Sequence, residues 1–389
     1  MVNPDTFLIV LFYVITLGGG VVVACSTKWS SGALRSRIGR AVVGILIGAT
    51  LLEFSSLLAL RINYGYWIYS RTPNPNAWIF EQHPNMVSGV KSNEQYVMRL
   101  RRGPISLSHN SLGFRGSEFG PKGNLKRIVA IGGSTTYGVS VSDAETWPAH
   151  LGQKLGEGYE VLNLGSAGHG TAEHLYMVGA VASRLVPDVV ILHIGLNDMH
   201  CMHAPDTTLL VNRCHSDLLF LSAGQCFVNR LPRLAMIHAL VSSLQNADLV
   251  PRCPLGPDGK NDFATLDPRV VDDFKARTVA LISAVVGMGA RVVVVPQVGF
   301  HKAALARGIY KWWTPYLDQS ALSALMKDFN KELRGIAQRM NVPYVESVDQ
   351  SVWSDDLFID VSHLNGKGNE RLAALLVPEV RKVAPLTGE

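Results

Sequence analysis

Short runs of β-branched and other apolar residues alternate along this chain with longer stretches whose apolar positions recur at helical spacing. The runs 127–131, 159–164, 188–194, 290–296 and 342–346 are nearly continuous in apolar character. That is the pattern of strands buried on both faces of a parallel sheet. Between them the spacing predicts helices over 143–156, capped by Asp143, and 171–185, capped by Thr171. Further helices are expected over 267–288, 319–340 and 366–383. Strands alternating with helices imply right-handed βαβ units, hence a three-layer α/β/α fold on about five parallel strands.

The first 125 residues do not follow this pattern. Residues 6–25 carry no charge, and residues 41–60 carry only Glu53. Each run is long enough to cross a hydrocarbon core of about 30 Å as a helix. Lys28, Arg35, Arg37 and Arg40 lie between them with no acidic residue, which places that loop in the cytoplasm and the rest of the chain outside. The expectation is a two-helix anchor over 1–60 in a bacterial inner membrane, with the remainder on the periplasmic or extracellular side. The first five residues include Asp5 and no Lys or Arg, so the basic start of a signal peptide is missing. Val22-Val23-Ala24-Cys25 does resemble a lipidation word, which leaves a lipid on Cys25 as an alternative anchor. Residues 61–125, rich in Asn, Pro, Ser and Gly, read as an irregular linker that wraps the main domain with short extended pieces.

A second interruption falls inside the regular part. Residues 199–263 show no clear strand and contain Cys201, Cys214, Cys226 and Cys253. A loop this long is usually functional or stapled, and four cysteines outside the cell imply two disulfides in one of three pairings. A metal site joining a thiolate to His200, His203 or His215 is the alternative, without the paired Cys-x-x-Cys spacing that would favour it. The insertion follows Asn197 directly and is expected to form a wall of the binding cleft.

Charge narrows the function further. The net +5 over 389 residues is small and scattered, and the cluster Arg99, Arg101, Arg102 has no interleaved aromatic stripe. Nucleic acid is therefore not an expected partner.

In open α/β sheets ligands bind at the carboxyl ends of the strands. Ser134, Gly165 and Asn197 fall just past the first, second and third predicted strands. They bring a hydroxyl, a bare glycine amide and a side-chain amide to one edge. Late in the chain, Asp360-Val361-Ser362-His363 supplies an acid and an imidazole three residues apart. Acyl transfer asks for this set: a nucleophile with a base, and donors where the oxyanion develops.

The words Gly132-Gly133-Ser134-Thr135, Asn163-Leu164-Gly165, Gly195-Leu196-Asn197-Asp198 and Asp360-x-x-His363 resemble, in order, the blocks of the SGNH (GDSL-type) hydrolase superfamily. The lead-in at 110–116, Asn-Ser-Leu-Gly-Phe-Arg-Gly, resembles a segment that precedes the serine block in bacterial members. The resemblance implies a flavodoxin-like sheet, with Ser134 as nucleophile, His363 as general base and Asp360 orienting it. It also implies an oxyanion hole from Ser134, Gly165 and Asn197, and no metal or cofactor. Gly133 stands where the family commonly has Asp, which changes the local hydrogen bonding and leaves the nucleophile in place.

Other residues carry competing readings. His193 is expected inside the third strand as a core histidine, while His169 and His174 lie past Gly165, where His169 is a candidate substrate contact. Asp198 is expected to fix the loop that presents Asn197. Trp312 and Trp313 offer either a sugar-stacking platform or a packed lid. For an outward-facing, membrane-tethered chain the SGNH resemblance implies an esterase that removes acyl groups, acetyl first, from an acylated carbohydrate or envelope polymer. A polysaccharide O-acetyltransferase, a lipase or thioesterase, and a non-catalytic glycan-binding assembly protein are the alternatives.

Overall fold

The computed structural model describes residues 33–64, 79–81, 83, 85–86, 89–100, 103–139, 141–201, 264–306, 317–318 and 320–386. The chain divides into two compact units, one of Met1–Ala77 with Leu221–Pro254 and one of Trp78–Phe220 with Leu255–Glu389. The expected membrane run at 6–25, Cys25, Cys214, Cys226, Cys253, His203, His215, Trp312 and Trp313 all lie outside the described residues, as does the side chain of Cys201.

In the smaller unit the second apolar run falls within one helix, α1 (Ala33–Tyr64). Ile45, Leu51, Leu52 and Phe54 of this helix are exposed, and Glu53 between them is buried. Among the described residues no helix is long and apolar enough to cross a membrane. The described residues thus do not supply the two spans expected from sequence. Glu53 interrupts the apolar run in α1, and Arg35, Arg37 and Arg40 sit near its start.

In the larger unit, the stretch expected to be irregular carries two antiparallel pairs. β1 (Phe80–Glu81) pairs with β2 (Gly89–Val90), and β3 (Glu94–Leu100) pairs with β4 (Gly103–His109). In β4 Ile105, Leu107 and His109 are buried while their neighbours are not, a period-2 pattern hidden by the polar intervening residues. Arg115 bridges His109 on one side and Asn163 on the other, so this segment is joined to the edge of the main sheet.

That sheet holds β5 (Lys126–Gly132), β6 (Tyr159–Asn163), β7 (Val189–His193) and β8 (Arg291–Val295), all parallel, in the order β6-β5-β7-β8. Alternate residues face opposite layers. Ile128, Ala130, Val189 and Ile191 pack with α3 (Trp147–Leu155) and α10 (Gly366–Val383). Val129, Ile131, Val190 and Leu192 pack with α4 (Thr171–Ala180), α6 (Pro268–Gly287) and α8 (Leu322–Arg339). The remaining helices are α2 (Ser134–Tyr137), α5 (Leu196–Cys201), α7 (Lys302–Ala306) and α9 (Glu346–Gln350). The result is the α/β/α sandwich expected, with the buried strands the sequence pattern required.

Three elements differ from expectation. The fifth strand is reduced to a parallel bridge of Tyr344 with Val294, because Pro343 has no N–H to donate and α9 begins at Glu346. The helix expected from Asp143 is split: Asp143–Glu145 is a 3₁₀ turn, and Thr146 caps α3 through Ala149 N. Thr171 is the first helical residue of α4 and Gly170 its cap, with Glu173 Oε2 accepting the Gly170 N–H at 2.9 Å.

Candidate active site

β5 lies at the centre of the sheet, with β6 on one side and β7 on the other. Its carboxyl end is the point where the chain order reverses, the usual place for a ligand crevice. Gly132 ends the strand, Gly133 is extended, and the backbone then enters α2 at Ser134. Ser134 is 8% exposed. Its hydroxyl sits at a sharp strand-to-helix turn, near the surface yet held by backbone on both sides.

The loop before α10 brings the second half of the site. His363 Nε2 lies 2.8 Å from Ser134 Oγ. His363 Nδ1 lies 2.7 Å and 2.9 Å from the two oxygens of Asp360. The same carboxylate accepts the backbone N–H groups of Ser362 and His363, at 3.0 and 2.8 Å, so its orientation is set by the turn it caps. Burial by itself favours the neutral imidazole, but the charge and hydrogen bond of Asp360 outweigh it and hold His363 above the ordinary histidine value. Asp360 is the counterpart: burial opposes its charge, while His363 and the two N–H donors hold it below the usual carboxylate range. The pair is therefore set up to favour a carboxylate beside an imidazolium.

Asn197 sits at the start of α5, past the end of β7. Its Nδ2 donates to His169 O at 2.8 Å, and a Cβ added at Gly133 would collide with that nitrogen. The amide thus lies against the backbone preceding Ser134, and a bare glycine at 133 is what admits it. Asp198, next along, accepts Thr171 N at 2.9 Å and Thr171 Oγ1 at 2.5 Å. The adjacent residues Asn197 and Asp198 therefore tie the loop after β6 to the loop after β7 at two points.

Gly165 is placed differently from the expectation. Its N–H donates to Asn163 Oδ1 at 2.9 Å, and a Cβ there would overlap Tyr137 N and the carbonyl carbon of Thr136. Gly165 is a packing glycine that lets the β6 loop close on α2, and its amide is already engaged. Asn163 completes the tie with Nδ2 on Thr136 O at 3.0 Å. Three residues on, Gly168 has a positive φ of 79°, and among the described residues its N–H has no hydrogen-bond partner. The signal for it in the sequence was only a second glycine in the same loop.

His169, His174 and His193 are all buried. His193, in β7 as expected, has Nδ1 3.3 Å from Thr136 Oγ1, and burial pushes both His174 and His193 down to about 3, so both are neutral. Among the described residues no group of three or more His, Cys, Asp or Glu side chains could hold a metal ion.

A residue that motif reading passed over is Arg115, in the lead-in segment. Its Nε bonds Asp143 at 2.8 Å, and its two terminal nitrogens reach the carbonyls of Tyr137, Gly138 and Val141. The guanidinium also lies 4.8 Å from the Tyr137 ring centre. A buried fork of donors thus holds the exit of the helix that begins with Ser134.

A hydroxyl, an imidazole and a carboxylate in series, at the switch point of a three-layer parallel sheet, define the serine hydrolase class of site. The chain belongs to the GDSL-like Lipase/Acylhydrolase family, whose profile matches residues 130–371. The match spans every block from the end of β5 to α10. No curated protein matches the chain. Solved structures similar to it include the native aryl esterase of M. smegmatis, 15% identical, covering 67% of this chain and 100% of that one with a TM-score of 0.39. Another is Est24, a carbohydrate acetylesterase from Sinorhizobium meliloti, 14% identical, covering 67% and 100% with a TM-score of 0.38. A third is the acetyl xylan esterase AlAXEase, 15% identical, covering 65% and 99% with a TM-score of 0.38. Likeness at this level says nothing of the substrate.

Proposed function

We propose that this acylhydrolase removes acyl groups, acetyl first, from a carbohydrate or envelope polymer through an acyl-enzyme on Ser134. The observation that carries the mechanism is the unbroken chain Ser134 Oγ, His363 Nε2, His363 Nδ1, Asp360. Nε2 takes the hydroxyl proton as Oγ attacks the ester carbonyl, and Asp360 stabilises the imidazolium that forms. The imidazolium returns that proton to the departing alcohol oxygen as the tetrahedral intermediate collapses. Water then repeats the cycle, releasing the acid and free Ser134. The Ser134 N–H, the Asn197 amide and the Gly168 N–H supply the oxyanion donors, Gly168 replacing Gly165 because the Gly165 amide is spent on Asn163.

Ser134→Ala should lose fluorophosphonate labelling and drop acetyl ester hydrolysis by about 10⁴-fold or more. Retained turnover in that variant overturns the mechanism. Running the wild type on an acetylated glycan with and without an acceptor sugar separates hydrolysis from transfer. We further propose that the chain works at a membrane with its hydrolase unit outside, on the support of the uncharged run 6–25 and the basic loop after it. Protease accessibility in intact spheroplasts tests that orientation, and digestion only after lysis would reverse it.

A further inference from the structure

Two buried carboxyl groups that the reaction does not use meet at the start of α4, on consecutive backbone N–H groups. Glu173 Oε2 accepts from Gly170 N at 2.9 Å, and Asp198 Oδ1 accepts from Thr171 N at 2.9 Å. A Cβ added at Gly170 would lie 3.1 Å from Asp198 Oδ1 and 3.5 Å from Oδ2, so Asp198 rests against the residue whose N–H Glu173 holds. Glu173 is 1% exposed and Asp198 4%. Each keeps one oxygen without a hydrogen-bond partner among the described residues, Glu173 Oε1 and Asp198 Oδ2. Arg277 of α6 is the cation that acts on both, but its Nη2 is engaged with Asp273 of the same helix at 3.2 Å. His174, next along α4, is neutral, and His169 stands in the loop before it.

Resting on the esterase reading above, we infer that Glu173 is a positioning residue, which holds the His169 loop against Asn197 by sharing a carboxyl proton with Asp198. One guanidinium already paired with Asp273 does not balance two buried carboxylates, so one of the two keeps a proton. Asp198 takes the charge, because it accepts both the N–H and the hydroxyl of Thr171. Burial, helped by the charge of Asp198, pushes Glu173 up to about 7 against the pull of the Gly170 N–H. The link to the reacting centre is short. Asn197 Nδ2 donates to His169 O at 2.8 Å; Asp198 follows Asn197, and Gly170, held by Glu173, follows His169. With the proton in place the two carboxyl groups close that contact from both sides. When the proton leaves for solvent, two like charges face each other across it and push the Asn197 amide from its place beside Ser134.

The test is the pH dependence of kcat and KM for p-nitrophenyl acetate in the wild type and Glu173→Gln. The amide keeps an acceptor for Gly170 N–H and a donor toward Asp198 at every pH. The wild type should give a bell, with an acid limb from His363 and an alkaline limb from Glu173 that appears in kcat more than in KM. Glu173→Gln should keep the acid limb and lose the alkaline one, and so exceed the wild type about tenfold at about pH 9. A carboxylate that only caps α4 would leave the two profiles alike, and coinciding alkaline limbs overturn the inference. Infrared difference spectra give a readout apart from activity: the wild type should show the C=O band of a buried carboxylic acid that vanishes as pH rises through about 7, and Glu173→Gln should lack it. A wild type without that band also overturns the inference. Failure of the underlying esterase reading is distinct: there Ser134→Ala keeps its activity on the ester.

Discussion

His363 Nε2 stands 2.8 Å from Ser134 Oγ although the two are 229 positions apart in the chain. The contact exists because β5 and the loop before α10 deliver their side chains to one end of one sheet. Its consequences can be tested one residue at a time.

Asp360 holds His363 above the ordinary imidazole value, and the base must be neutral to accept the Ser134 proton. In the wild type kcat/KM should therefore fall as pH drops through that raised value. Asp360→Asn removes the charge, so the imidazole returns toward its ordinary value and the acid limb moves to lower pH. The plateau rate should fall by about 10⁴-fold, from loss of imidazolium stabilisation and of the set tautomer. A pH profile of both proteins checks the direction, and an acid limb that moves upward contradicts it.

Asn197→Ala should lower kcat by about 10²–10³-fold with little change in KM, as expected for a donor used chiefly in the transition state. Gly133→Ala should reproduce much of this loss without touching the amide itself, because the new Cβ displaces Asn197 Nδ2. Steady-state kinetics with chemical denaturation on both variants separates a moved amide from a lost fold.

Arg115→Ala removes the guanidinium donors to the carbonyls of Tyr137, Gly138 and Val141 and the ion partner of Asp143, which keeps only the Ser108 hydroxyl at 2.7 Å. Breaking a buried pair from one side costs about 3–5 kcal/mol, with the lower end expected here because Asp143 is partly exposed. Urea unfolding should show that loss. Arg115→Lys should recover little of it, since one ammonium cannot reach the carboxylate and three carbonyls together.

Gly165→Ala forces a methyl group into the backbone of Thr136 and Tyr137. Overpacking of this kind costs about 1–3 kcal/mol, read as a lowered Tm. A variant as stable as the wild type would show that the β6 loop does not press on α2.

The fold was legible to the extent that each element announces itself within a few residues. β5, β7 and β8 are short apolar runs, and α10 falls at the bounds its helical spacing predicts. Errors arose where a single residue competes with the pattern. Pro343 interrupts an apolar run, and Thr146 and Gly170 take the caps that the nearby Asp143 and Thr171 were expected to hold. The pair β3–β4 was missed because a strand with one polar face scores poorly as a buried run.

Ser134, Asn197, Asp360 and His363 could be picked from the sequence because each sits in a short word at a predicted strand end or turn. The role of each glycine could not. Gly165 and Gly168 share one loop, and only the Asn163 side chain decides which amide is already bonded. Arg115 was silent for a similar reason, its partners lying 22 to 28 residues along the chain. Strand period, helix spacing and acid–imidazole words depend on neighbours in sequence, so the chain by itself determined the layered fold and the candidate reacting groups. Which N–H stays free and which backbone a buried guanidinium holds depend on groups brought together from separate segments, and only tertiary packing decided those.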